Sequence, residues 1–167
     1  MNEPVFEKHA ISLLVNNRPG VLIRIALVFS RRGYNLDSVV VSPAHHPEYS
    51  RMTIVASGER RTLVQIIRQL NKLVDVIHAA DHTGQNMIVR EIALFKVSCS
   101  PAQRTEVLQI ANHFKCTSLD LTGETMIFEV TGSSEKLTAL EELFDGFGIV
   151  ESVRSGKLVM ARGSEAT

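Results

Sequence analysis

The chain writes one order of elements twice, and that repetition limits the fold more than any other feature. His9 to Asn16 is an apolar, strand-like run, broken at Pro19-Gly20. Val21 to Arg32 is too long and continuous for an ordinary strand and predicts a helix, stopped by Gly33. Tyr34 to Ser42 carries Val39-Val40-Val41, a strand signal. Pro43 to Tyr49 is a polar loop, and Arg51 to Ala56 a further strand. Leu63, Ile66, Ile67, Leu70 and Val74 recur at helical spacing, and Val74 to Ala80 returns to strand. The first half reads β-α-β-β-α-β.

Asp81 to Met87, polar and containing Gly84, reads as a linker. Then the order recurs. Val89 to Ser98 alternates as a strand, and Ser100, Pro101 and Gln103 spell a helix start for a stripe of Val107, Ile110, Ala111 and Phe114. Thr117 to Leu121 and Met126 to Val130 read as strands about a turn at Thr122-Gly123-Glu124. Ser133 or Ser134 caps a helix striped by Leu137, Leu140 and Phe144, and Ile149 to Val153 is a strand. Gly156 to Gly163 is a short basic-apolar tail or a further edge strand. The expectation is an α+β chain of two tandem ferredoxin-like βαββαβ sandwiches: a domain over 1–80, a linker over 81–87 and a second domain over 88–167. Each sandwich would leave one sheet face and two edge strands uncovered, which predicts oligomerisation.

Charge narrows the partners. Lys plus Arg and Asp plus Glu number 18 each, for a net charge of zero. A nucleic-acid binder ordinarily carries a basic excess. An RNA-binding sandwich also needs aromatic residues on its sheet, and aromatics are only 5% of this chain. No apolar run reaches the ~18–20 residues that span a bilayer. Met1-Asn2-Glu3-Pro4 lacks the order of a signal peptide. Cys99 and Cys116 form no C-x-x-C pair, so the expected setting is the reduced cytoplasm, with both thiols free and packed.

The residues offer no catalytic constellation. Neither cysteine has a fixed basic neighbour pattern that would activate it. His45 and His46 are adjacent, so their side chains are expected to diverge. His78 and His82 flank Asp81 without a second ligand cluster, and no metal site is expected. No phosphate-loop, dinucleotide, zinc-protease or nucleophile-elbow motif is present. Glu141 and Glu142 are neighbours on a helix and splay apart.

The informative segment is Asn16-Asn17-Arg18-Pro19-Gly20-Val21-Leu22. A helix start has N–H groups without intrahelical partners, and an acidic residue commonly sits in the first turn. Here the first turn is Val21, Leu22, Ile23 and Arg24, with no carboxylate. Gly20 removes the side chain that would block approach, Pro19 stiffens the loop, and Asn17 offers an amide. Val21 and Leu22 offer apolar contact. These features suit an external anion such as a carboxylate. On physics alone the same residues also read as an ordinary helix capped by Asn17. Asn35, beyond Gly33, begins a strand, where its amide either reaches across a dimer interface or merely makes the turn.

Asn17-Arg18-Pro19-Gly20-Val21-Leu22, followed by Phe29-Ser30-Arg31-Arg32-Gly33-Tyr34-Asn35-Leu36, resembles an ACT domain, an amino-acid-sensing module. Ser50-Arg51-Met52-Thr53-Ile54-Val55 and Gln69-Leu70-Asn71-Lys72-Leu73-Val74-Asp75-Val76 narrow the resemblance. With Arg90-Glu91-Ile92-Ala93-Leu94 and Arg154-Ser155-Gly156-Lys157, they resemble the regulatory (small) subunit of acetohydroxyacid synthase, also called acetolactate synthase. The likeness spans residues 8 to 163.

The resemblance implies a non-catalytic regulatory subunit in branched-chain amino acid biosynthesis. It implies a homodimer joined through ACT sheets, with valine bound at that interface to mediate feedback inhibition. By motif position, one subunit supplies Asn17, Gly20, Val21 and Leu22, and the partner supplies Asn35 and Leu36. The catalytic large subunit, which this chain would activate, carries the thiamine diphosphate, magnesium and FAD; none is expected here. The alternatives are another ACT-type small-molecule sensor and an RNA-binding ferredoxin-like module. Asn16, Ile23 and the loop Pro43-Ala44-His45-His46-Pro47 depart from the family pattern and bear on effector strength.

Overall fold

The computed structural model describes residues 7–84, 86–164 and 167. Residues 1–6, read above for a signal peptide, lie outside them. By its contacts the chain forms two compact units, Met1–Ile88 with Gly156–Thr167, and Val89–Ser155.

The first unit runs β1 (Glu7–Asn16), α1 (Val21–Ser30), β2 (Asn35–Pro43), β3 (Tyr49–Gly58), α2 (Arg60–Leu70) and β4 (Val76–Asp81). Its sheet has the order β2-β3-β1-β4, antiparallel throughout, so β2 and β4 are the edges. One face is aliphatic by alternation: Ile11, Leu13 and Val15 of β1 stand beside Ile54 and Met52 of β3. Against that face pack Val21, Ile25, Val28 and Phe29 of α1 and Leu63, Ile66 and Leu70 of α2. Burying each such side chain contributes about 1.5–3 kcal/mol. α1 lies toward β2, and α2 toward β4.

Local chemistry sets the boundaries. α1 stops short of Arg32. The Tyr34 N–H reaches Phe29 O at 3.1 Å and the Gly33 N–H reaches Ser30 O at 3.1 Å, with Gly33 at φ 70. Those paired bonds close the helix and launch β2 at Asn35. α2 ends at Leu70, earlier than the apolar spacing implied, and Val74 stands 94% exposed in the following loop. Asn71 terminates the helix: its Nδ2 donates to Ala79 O and its Oδ1 accepts from Ala79 N–H, both at 2.9 Å. One side chain thus does for the outer edge of β4 what a neighbouring strand would.

The opposite sheet face is less open than the element order implied. Ser12, Thr53 and Val55 on that face are buried. The tail lies against it: Gly156 meets Ser38 and Val40, and Thr167 O accepts from Arg51. That is why 156–167 groups with the first unit and not with 89–155.

The second unit runs β5 (Met87–Ser98), α3 (Arg104–His113), β6 (Thr117–Leu121), β7 (Thr125–Gly132), α4 (Ser134–Asp145) and β8 (Ile149–Arg154). The tail strand β9 (Leu158–Ala161) pairs with β5, and the rest of the sheet has the order β6-β7-β5-β8. Both units are therefore βαββαβ sandwiches with antiparallel sheets, as the repeat predicts. Phe95 and Phe128 of the sheet close on Phe144 of α4, with ring centroids 5.9 and 5.4 Å apart. Ser133 caps α4, its hydroxyl accepting from Lys136 N–H. α3 starts later than Ser100-Pro101 predicted. Residues 101–103 form a turn, and Gln103 Oε1 takes both the Ser100 N–H and its hydroxyl. The Ser100 oxygen is thereby turned away from capping.

Candidate functional site: the uncapped turn before α1 and the free edge of β2

Gly20 is the N-cap residue of α1. It sits at φ 83, ψ −8, a left-handed conformation that favours glycine, and no side chain caps the helix. The first turn holds no acidic residue. An ideal Cβ on Gly20 would meet nothing nearer than Arg24 Nη2 at 3.8 Å. Glycine is required there by the backbone and not by crowding. The helix start is consequently open, with its dipole unanswered from within the chain.

Asn17 does not cap α1. Its Nδ2 donates to Pro47 O at 3.0 Å, and its backbone N–H to Glu48 O at 2.8 Å. It ties the β1–α1 turn to the β2–β3 loop. That contact spans 30 residues and no local spacing announces it. The Val21 side chain is buried in the core, which leaves its backbone to the turn, whereas Leu22 is 46% exposed. A cleft of about 210 Å3 opens beside this turn, lined by Val21, Arg24, Ile25 and residues 72–76. Arg24 and Asp75 form an ion pair there at 3.0 Å. Neither the Asn17–Pro47 bond nor the Arg24–Asp75 pair was legible in the sequence, since both contacts arise from long-range folding.

Asn35 is exposed and donates to Asp37 Oδ1 at 3.4 Å, while Leu36 packs on the edge of the core. A bulge between Leu36 and Ser38 re-aims the strand here. Asn35 pairs with Ser57, and Ser57 with Lys8; at the other end Asn16 pairs with Tyr49 and Ser50 with Pro43. Asn17 and Asn35 are thus at opposite ends of the sheet, roughly 26 Å apart along β3 at the usual strand rise. Within one chain the two groups do not meet.

The free edge between them is apolar. Val39 and Val41, which face the helix side opposite Ile54 and Met52, are 37% and 44% exposed. α1, next to β2, exposes Leu22, Ile23 at 66% and Leu27 at 45%. A helix apolar on more than its core face calls for a further partner.

Other candidate groups have structural duties. Burial pushes the Cys116 thiol up in spite of Lys136, which keeps it protonated, and Cys99 is buried. His45 and His46 do not diverge: their rings meet edge to face with centroids 5.2 Å apart. His82 is buried against Ser12 Oγ at 2.6 Å. Among the described residues no group of three His, Cys, Asp or Glu is arranged to hold a metal, and no helix is long and apolar enough to cross a membrane. Phe95 and Phe128 face the helix side in the core, not the open sheet face that single-stranded RNA would need.

Residues 11–78 match the profile of the AHAS small subunit-like ACT domain, and residues 90–163 match that of the small subunit of acetolactate synthase. The chain belongs to the acetolactate synthase small-subunit family. A probable acetolactate synthase small subunit of Methanothermobacter thermautotrophicus is 43% identical over 95% of each chain. One from Archaeoglobus fulgidus is 39% identical over 95% of this chain and 99% of its own. The crystal structure of an acetolactate synthase small subunit from Thermotoga maritima superposes with a TM-score of 0.86 at 33% identity, covering 95% of this chain and 99% of that one. The first sandwich is thus the family's ACT domain.

The family blocks now have physical reasons. Gln69 to Val76 holds the Asn71 clamp on β4. Arg90-Glu91 and Arg154-Ser155 meet across the second sheet: Arg154 Nε donates to Glu91 Oε2 at 2.7 Å, and Ser155 exchanges two bonds with the Ile92 backbone.

Proposed function

We propose that this chain is a non-catalytic regulatory subunit that binds valine between two ACT domains and passes that signal to a catalytic acetolactate synthase subunit. What supports the reading is the split geometry of the site. An open helix start stands at one end of the sheet, and Asn35-Leu36 begin the free edge strand at the other. A two-fold, antiparallel join of β2 to β2 of a second copy reconciles them. It sets the Asn35 end of one protomer beside the Pro43 end of the other, next to the turn of residues 16–20. The exposed Val39, Val41, Ile23 and Leu27 would be covered by the same join.

The division of labour follows from donor chemistry. The effector's carboxylate takes the N–H groups at the start of α1, helped by the dipole. With its Nδ2 engaged by Pro47, Asn17 has its Oδ1 left as an acceptor suited to an ammonium. Asn35 of the partner supplies the polar contact that reports dimer closure. Thiamine diphosphate, magnesium and FAD belong, in this reading, to the catalytic subunit. Valine shifts the holoenzyme only by its difference in affinity between active and restrained states.

Calorimetric titration of valine into the purified chain, with alanine as control, tests the reading. Saturable valine binding is expected, lost on Asn17→Ala. Failure to bind both alone and with the catalytic subunit present would reject the sensor. Acetolactate formation by this chain alone would reject its non-catalytic standing.

A further inference from the structure

Arg24 breaks a local rule. Side chains of an α-helix lean toward its N-terminus, so a long side chain in the first turn returns over the helix start. Arg24 closes that turn, its N–H donating to Gly20 O at 3.2 Å. Its Nη2 stands 3.8 Å from the point that a Cβ on Gly20 would occupy. A cation is unfavourable beside the positive end of a helix, where an anion belongs. The first turn carries no acidic residue to offset it. What holds the guanidinium there is Asp75, whose Oδ2 lies 3.0 Å from Nη2. Asp75 is itself fixed: its side chain is 14% exposed, and its carbonyl accepts the Asn16 N–H at 2.8 Å. The Arg24 side chain, by contrast, is 55% exposed. A pair with one member this open to water contributes little to stability, so stability does not account for an arginine here.

We propose that Arg24 selects the effector's carboxylate, its guanidinium held over the start of α1 by Asp75. The inference rests on the effector reading given above and adds a residue to that site. Three features carry it. The guanidinium and the uncapped start of α1 stand about the same bare Cα, that of Gly20. A guanidinium has five N–H donors in a planar fork, more than the two oxygens of Asp75 use, so it can hold a second carboxylate without releasing the first. And Asp75 answers the guanidinium but not the helix, since no side chain caps α1. An arriving carboxylate answers both. Charge-assisted bonds of this kind discriminate by charge: a neutral amide in place of the carboxylate forfeits them, while its ammonium and aliphatic contacts remain.

Calorimetry of the full-length chain, alone and with the catalytic subunit present, tests the assignment with two ligands. L-valinamide keeps the ammonium and side chain of L-valine but has no carboxylate. The wild type is expected to bind valine at least about thirtyfold more tightly than valinamide. Arg24→Gln should lose at least about tenfold in valine affinity and keep its valinamide affinity within about twofold, so that the preference collapses. Arg24→Lys keeps a cation without the fork and should keep part of the preference. Arg24→Gln leaves the Asp75 carboxylate uncompensated, which can cost folding. Arg24→Gln combined with Asp75→Asn removes both charges and should show the same collapse in a folded chain. An equal loss of both ligands in the single and double variants, or an undiminished preference for valine, overturns the proposal. No saturable valine binding by the wild type in either setting rejects the effector reading itself, and the role of Arg24 with it.

Discussion

Gly20 meets two demands that no other residue type meets together. Its φ of 83 costs an ordinary L residue about 1–2 kcal/mol, and its bare Cα leaves the start of α1 approachable. Gly20→Asp is expected to fold with that modest penalty and to lose valine affinity at least about fiftyfold, since its carboxylate would stand beside the effector's. Gly20→Asn, tolerant of the same φ but neutral, should retain most of the binding. Calorimetry of the two variants separates charge from strain. At the same scale, Asn71→Ala removes both bonds to Ala79 and should cost about 2 kcal/mol in urea unfolding. Tyr34 gives the pH signature. Its hydroxyl donates to Glu59 O, and burial, reinforced by the Glu59 charge, pushes its pKa up from about 10. The folded-state value exceeds the unfolded one, so Tyr34 contributes stability that is complete below pH ~10 and is lost as pH rises through the folded value. Tyr34→Phe should flatten the alkaline arm of the stability profile.

Among the elements, β2 is the one on which the proposed dimer depends. It is an edge strand with an apolar helix-side row, flanked by a helix whose outer residues are also apolar. Val39→Lys combined with Ile23→Lys should weaken dimerisation by more than about tenfold in sedimentation experiments, through desolvation and like-charge repulsion across the two-fold axis. The elements also show what sequence periodicity conveys. Alternation in Ile11, Leu13 and Val15, and helical spacing in Leu63, Ile66 and Leu70, mark core faces correctly because both are local properties of the backbone. Val74 continues the helical spacing yet lies outside α2, because the Asn71 side chain hydrogen-bonds to Ala79 of β4 and the chain leaves the helix there. The start of α3 fails for a similar reason, with Gln103 capturing the Ser100 hydroxyl.

For the molecule as a whole, tertiary contacts account for what the chain's letters leave silent. Two βαββαβ units are legible from element order. The return of 156–167 to the first unit is not, since nothing in a short basic-apolar tail names the surface it will cover. The site shows the same division. Gly20 and the absent acidic residue are readable locally, whereas the Asn17 bond to Pro47 and the ~26 Å separation of Asn17 from Asn35 emerge only from the sheet register. Under the proposed function, that separation requires each valine site to take one part from each of two chains. Calorimetry on mixed subunits tests this most directly. Gly20→Asp and Asn35→Ala chains are each expected to bind no valine alone. Unfolded together and refolded as an equal mixture, they should regain about a quarter of the wild-type sites, because half the dimers are mixed and each mixed dimer holds one intact site. No regained binding, in a mixture shown to contain mixed dimers, would contradict the two-chain site.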